Sequence, residues 1–154
     1  MEKDSSRYQK IRKRALDLLS RREHSEFELR KKLLGKDAAA HAVDEVIEDL
    51  KRDNYLSDDR YAEAYVRSRV ERGDGPLKIR HELSRRGVSG VLIERHMDQG
   101  DEFWEIVLRR VRSRKFGAAA PGDYKEWTRQ ARFLQSRGFA PEQIRKVVLF
   151  QETV

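Results

Sequence analysis

The chain repeats itself. Displaced by 50 residues, Phe27, Leu29, Arg30, Leu33, Val43 and Ile47 fall on Leu77, Ile79, Arg80, Leu83, Ile93 and Met97. A displacement of 51 then carries Leu83, Arg86, Gly87, Val88, Ile93 and Met97 onto Leu134, Arg137, Gly138, Phe139, Ile144 and Val148. Such a period marks a string of structural units, each too small to bury its own apolar face, so that neighbours must stack. Residues 7–154 divide accordingly into three units, 7–57, 58–100 and 101–154.

Each unit reads as three helices. Ala39, Val43, Val46, Ile47 and Leu50 recur at helical spacing and form one apolar stripe. Tyr61, Ala62, Tyr65, Val66 and Val70 form another, as do Trp104, Val107, Leu108 and Val111, and Trp127, Ala131 and Leu134. No segment alternates with period two, so the expected fold is all-α: three tandem three-helix repeats without a sheet. Ser25 with Glu28 and Asp123 with Glu126 spell capping boxes. Asp58 stands where an N-cap should precede the Tyr61 stripe. Pro76 and Pro141 suit a first helical turn, and Gly87 and Gly138 suit the left-handed residue past a helix end. Gly73-Asp74-Gly75 and the segment from Gly117 to Gly122 read as the loops that flex.

With 38% hydrophobic and 40% charged residues, the chain is far more charged than the roughly 25% usual for globular proteins. Combined with helical periodicity, that balance describes much surface over a thin core. The absence of cysteine excludes disulfides, thiolate metal sites and a cysteine nucleophile. The charged N-terminus lacks the apolar stretch of a signal peptide, and no apolar run approaches the ~18 residues of a membrane span. A cytoplasmic protein is expected. The net charge of +7 is unevenly spread: residues 1–36 carry +6, 37–59 carry −6, 60–86 carry +4, 87–101 carry −2 and 102–154 carry +5. Such a chain can set basic faces against phosphate and leave acidic helices for a protein surface.

Catalysis needs convergent polar groups, and none is apparent. His24, His41, His81 and His96 are scattered and read as surface or helix-end histidines. A cap and a dipole-favoured acid account for Asp58-Asp59 without a metal. The capping box accounts for Ser25, and glycine-rich phosphate loops are absent. No catalytic, cofactor-binding or metal-ligating residues are therefore expected.

The basic clusters are the better signal. Arg67, Arg69, Arg72, Lys78, Arg80, Arg85 and Arg86 gather in the second unit, and Arg109, Arg110, Arg112, Arg114 and Lys115 near the end of one helix in the third. Lys10, Arg12, Lys13 and Arg14, with Arg30, Lys31 and Lys32, do so in the first. Guanidinium groups suit bidentate contact with phosphate or carboxylate. With no base-reading helix evident, contact with single- or double-stranded DNA would be non-specific and salt-sensitive.

The run Leu56-Ser57-Asp58-Asp59-Arg60-Tyr61-Ala62-Glu63-Ala64-Tyr65-Val66-Arg67-Ser68-Arg69 resembles the central signature of the RecX family of bacterial recombination regulators. So does Gly75-Pro76-Leu77-Lys78-Ile79-Arg80-His81-Glu82-Leu83-Ser84-Arg85-Arg86-Gly87-Val88. Arg21-Arg22 with Ser25, Glu28, Leu29 and Leu33 fits the first unit, and Arg132-Phe133-Leu134 leading to Arg137-Gly138-Phe139 fits the third. The third unit departs from the pattern with Thr128 and Gln130 where the second has Leu77 and Ile79. The resemblance implies an elongated, curved arrangement of the repeats. It also implies a cytoplasmic protein that binds the RecA–DNA filament and lies in its groove. There it would limit RecA's ATPase, strand exchange and co-protease functions. A monomer without cofactor is expected. The alternative is a general nucleic-acid-binding or nucleoid-type helical protein that needs no protein partner.

Overall fold

The computed structural model describes residues 2–35 and 40–149, the side chains of residues 2–4 excepted. Ala39, which opens an expected stripe, and the last residues of the third unit, 150–154, lie outside the described residues. The described residues form nine helices and no strand. Three belong to each repeat: α1 (Glu2–Arg21), α2 (Glu26–Leu33) and α3 (Ala40–Arg52); α4 (Asp58–Glu71), α5 (Pro76–Arg85) and α6 (Gly90–Met97); α7 (Asp101–Phe116), α8 (Tyr124–Ser136) and α9 (Pro141–Val147).

Repeat positions are burial positions. Leu33, Leu83 and Leu134 are buried, as are Val43, Ile93 and Ile144, and Ile47, Met97 and Val148. Gln130 replaces the buried Leu29 and Ile79 of the earlier repeats and is itself 3% exposed. An amide there is tolerable only if it is hydrogen-bonded. Arg112 Nε donates to its Oε1 at 2.8 Å, and its Nε2 donates to Glu126 at 3.2 Å.

Packing follows a different division from the repeats. One compact unit comprises Met1–Ala64 with Leu83–Ile93, the other Tyr65–Glu82 with Glu94–Val154, so α4, α5 and α6 each contribute to both. Within the first, Ala15, Leu29, Leu33, Val43, Val46, Ile47, Leu50 and Leu56 are buried together, and Tyr8, Ile11 and Leu19 of α1 pack against them. Within the second, Trp104, Val107, Leu108, Val111, Leu134, Phe139, Ile144 and Val148 are buried.

The two Arg-Gly steps found by the repeat do matching work inside the two units. In the first, Gly87 has φ +79, and a Cβ there would stand 2.5 Å from Phe27 Cβ. Arg86 beside it donates to the Tyr61 hydroxyl at 3.2 Å and lies 3.6 Å from the Glu28 carboxylate. In the second, Gly138 has φ +101 and meets Lys78 just as closely. Its neighbour Arg137 donates to the carbonyls of Arg72 and Gly73. The Gly75 N–H returns a bond to the Arg137 carbonyl at 2.6 Å, and the Leu77 N–H bonds the Gly138 carbonyl at 3.0 Å. The expectation that Gly73-Asp74-Gly75 flexes is thereby corrected: all three residues are buried.

Asp58 also needs correction. Ser57 caps α4, its Oγ accepting the Arg60 N–H at 3.2 Å. Asp58 reaches instead to α2, where its Oδ1 accepts the Glu26 N–H at 2.7 Å. Ser25 Oγ accepts the Glu28 N–H at 3.1 Å, so two of the four orphan donors of α2 are satisfied. The caps at Ser25 and Asp123 stand where the sequence puts them. However, Glu28 and Glu126 turn to Arg22 and Arg129 rather than closing the box.

Candidate partner-binding surface

The twelve basic candidates separate by what their side chains already hold. Arg69 lies 5.0 Å over the Tyr65 ring and 3.8 Å from Glu82. Lys78 stands 3.4 Å from Asp74, whose side chain is only 4% exposed. Arg80 forks onto Glu94 at 3.1 and 3.4 Å. Arg86 serves the Glu28–Tyr61 contact described above. Arg110 caps the end of α4 by donating to the Val70 carbonyl at 3.0 Å. Arg112 is divided between Gln130 and the Ala119 carbonyl, the latter at 2.6 Å. These six side chains are held by neighbours on their own unit.

Arg110 is nonetheless exposed, as are the remaining six, Arg67, Arg72, Arg85, Arg109, Arg114 and Lys115. Of these, Arg67 is also engaged by the chain. Lys115 rests 5.4 Å over the Phe133 ring. No carboxylate among the described residues lies within ion-pair distance of Arg72, Arg85, Arg109 or Arg114. Arg72 and Arg110 both stand at the C-terminal end of α4, and Arg114 follows Arg110 by one turn of α7. In the first repeat, Lys10, Lys13 and Arg14 are exposed on α1, whereas Arg12 pairs with Asp53 at 3.6 Å and Arg30 with Asp44 at 3.3 Å.

The acidic stretch does not form a bare acidic face. Along α3, Asp44, Glu45, Glu48 and Asp49 lie within 3.0–3.4 Å of Arg30, His41, Lys51 and Arg52. The Tyr8 hydroxyl also donates to Asp49. These acids are largely matched by bases on their own unit.

Glu28 gathers four basic side chains. Its carboxylate bonds Arg22 and lies 3.8 Å from Lys32, 3.9 Å from His24 and 3.6 Å from Arg86. Burial opposes its ionisation, but the Arg22 hydrogen bond and the surrounding positive charge outweigh burial and hold the carboxyl below its ordinary range. His24, expected on the surface or at a helix end, lies instead in the connection between α1 and α2 and is buried, with 2% exposure. Burial lowers its pKa, and a neutral ring fits its bonds: Nδ1 to the Arg22 carbonyl at 3.1 Å, Nε2 to Lys32 Nζ at 2.9 Å. Burial likewise raises the Asp58 carboxyl above its usual value.

Among the described residues no group of three or more His, Asp or Glu is arranged to hold a metal. None of the described helices is long and apolar enough to cross a membrane. Arg137, outside the twelve candidates, clamps the turn after α4 through the carbonyls of Arg72 and Gly73. Its signal was in the sequence, since the repeat lays it on Arg86.

Family comparisons cover the same three units. Models described as the first, second and third three-helix domains of RecX match residues 12–50, 57–97 and 107–148. The chain is 44% identical to the regulatory protein RecX of Halorhodospira halophila over 88% of its own length and 84% of that protein. It is 37% identical to the RecX of Pseudomonas savastanoi over 90% of its length and 89% of that protein. A crystal structure of RecX from Lactobacillus salivarius has the same fold, with a TM-score of 0.79 at 21% identity over 94% of this chain and 96% of that one. With the three domains present in order and most of the chain covered at this identity, the protein belongs to the RecX family of regulatory proteins.

Proposed function

We propose that this chain binds the filament RecA forms on DNA and restrains RecA's ATPase, strand exchange and co-protease functions. The observation that carries the reading is the family match, which spans all three helical domains in order. The protein acts by binding, in the cytoplasm and as a monomer, and catalyses nothing itself. Its DNA contacts are non-specific and weaken with salt, as expected where arginines displace counterions from phosphates.

The contacting side chains come first from Arg67, Arg72, Arg85, Arg109, Arg114 and Lys115, which face solvent. Arg69, Lys78, Arg80, Arg86, Arg110 and Arg112 are engaged by neighbours on their own unit. Exposed arginines also suit the alternative, a general nucleic-acid binder, so the test must separate filament from DNA. The protein is sedimented with single-stranded DNA alone, with RecA alone, and with RecA on that DNA in the presence of a slowly hydrolysed ATP analogue. Selective pelleting with the assembled filament is expected. Equal binding to DNA with and without RecA would favour the alternative.

A further inference from the structure

The third repeat carries a helical turn that the other two lack. The displacement of 50 lays the first residue of α2, Glu26, on the first residue of α5, Pro76. The displacement of 51 lays Pro76 on Trp127, yet α8 begins at Tyr124, three residues earlier. The added turn, Tyr124-Lys125-Glu126, has no counterpart in α2 or α5. It ends in an open aromatic ring: Tyr124 is 72% exposed.

That ring has firm backing. Tyr124 stacks on Trp127, the planes 12° apart and the centroids 6.1 Å apart. The indole is fixed in turn by its Nε1–H, which donates to the Val148 carbonyl at 2.8 Å. The α8 N-terminus is fixed by Asp123, which accepts the Glu126 N–H at 2.8 Å. Tyr124, Thr128 and Arg132 follow at i, i+4 and i+8 along one ridge, with Lys125 beside it. Lys125 and Arg132 are exposed, and no carboxylate among the described residues lies within ion-pair distance of either. The nearest acid on the helix, Glu126, is already forked onto Arg129 at 2.9 and 3.0 Å.

We infer that the Tyr124–Trp127 stack is a platform for an unpaired base, with Lys125 and Arg132 taking the flanking phosphates of a single strand. An aromatic face with cations beside it suits any base, because every base offers a π-face. A duplex keeps its bases stacked on each other and offers this ring only its backbone, so the platform should prefer single strands. The inference rests on the reading that the chain contacts nucleic acid, and it does not require RecA.

Binding of the full chain to an oligothymidine and to a duplex of equal length, followed by fluorescence anisotropy, tests it. Tyr124→Ala should weaken oligothymidine binding about five- to tenfold while changing duplex binding less than about twofold, and Tyr124→Phe should bind nearly as wild type. Oligothymidine should also quench Trp127 emission in the wild type; Trp104, 4% exposed, is shielded from it. Helical circular dichroism and Tm establish that each variant folds. Unchanged oligothymidine binding by folded Tyr124→Ala overturns the proposal, as does equal loss on both DNAs or no oligothymidine binding by wild type. So does a wild-type dimer that Tyr124→Ala dissolves, since the ring would then face a second copy. A protein that still bound the RecA filament after any of these results would keep the filament reading and lose only this one.

Discussion

Arg137 brings its guanidinium within 3.5 Å of the buried carboxylate of Asp74 while donating to the carbonyls of Arg72 and Gly73. One side chain from the end of α8 thus neutralises a buried acid and caps the chain leaving α4. Arg137→Ala should destabilise the protein by about 2 kcal/mol, because Asp74 keeps only Lys78 and two carbonyls lose a charged donor. Arg137→Lys restores the charge without the fork and should recover only part of that. Exposed Arg72→Ala should stay within about 0.5 kcal/mol. Urea unfolding midpoints of the three variants check the order.

Gly87 is the counterpart, in the other unit, of the Gly138 that follows Arg137. Its φ of +79 disfavours any side chain, and a Cβ would stand 2.5 Å from Phe27 Cβ. Gly87→Ala should therefore cost about 2 kcal/mol or more. Gly90, at the start of α6, has nothing within 4 Å of an added Cβ, and Gly90→Ala should be neutral or slightly stabilising. Comparable losses in Tm for the two substitutions would remove the contact from the account.

Asp58 joins the start of α4 to the first N–H of α2. Asp58→Ala should cost about 1 kcal/mol, whereas Asp58→Asn keeps an acceptor for the Glu26 N–H. Because burial raises the Asp58 carboxyl, losing its charge carries little penalty, and Asn should retain most of the stability. Chemical denaturation at neutral pH distinguishes the two. An equal loss in both variants would mean that the charge, and not the bond, holds α2.

Acid should loosen the first unit through His24 and Glu28. Both groups have folded pKa values below their ordinary ones, so the unfolded chain binds protons more readily. Each contributes stability above its unfolded pKa and loses it as pH falls through the folded value. The His24 contribution should begin to fade just below its ordinary value of 6.5, and that of Glu28 below 4.5. A neutral Gln at either site should flatten its part of the stability–pH curve. A His24→Gln variant whose curve still tracks wild type from pH 7 to 5 would contradict the assignment.

Helices and repeats were legible in the sequence because burial leaves a periodic trace: Leu33, Leu83 and Leu134 are alike, and all three are buried. What arginines do leaves no such trace. Arg112 and Arg114 look equivalent in the sequence, yet one satisfies a buried glutamine and the other faces solvent. Which arginine has a carbonyl or carboxylate within reach depends on how the helices pack, within a repeat for Arg112 and across repeats for Arg110. The same limit explains Asp58, whose bond goes to a helix 32 residues earlier, and the Gly73–Gly75 loop, clamped by a residue from another repeat.

The exposed arginines are the centre of the functional account, and RecA's DNA-dependent ATPase reads them most directly. Single-stranded DNA activates RecA, and the protein is titrated in as wild type and as two charge-reversal variants. One carries Arg72→Glu, Arg109→Glu and Arg114→Glu; the other carries Arg69→Glu alone, where the guanidinium is half-buried over Tyr65. Wild type should inhibit, and the folded triple variant should need at least about tenfold more protein for the same effect, a coupling of about 1.4 kcal/mol. The single variant should lose stability before it loses inhibition. Full inhibition by a folded triple variant, or none by wild type, would contradict the account.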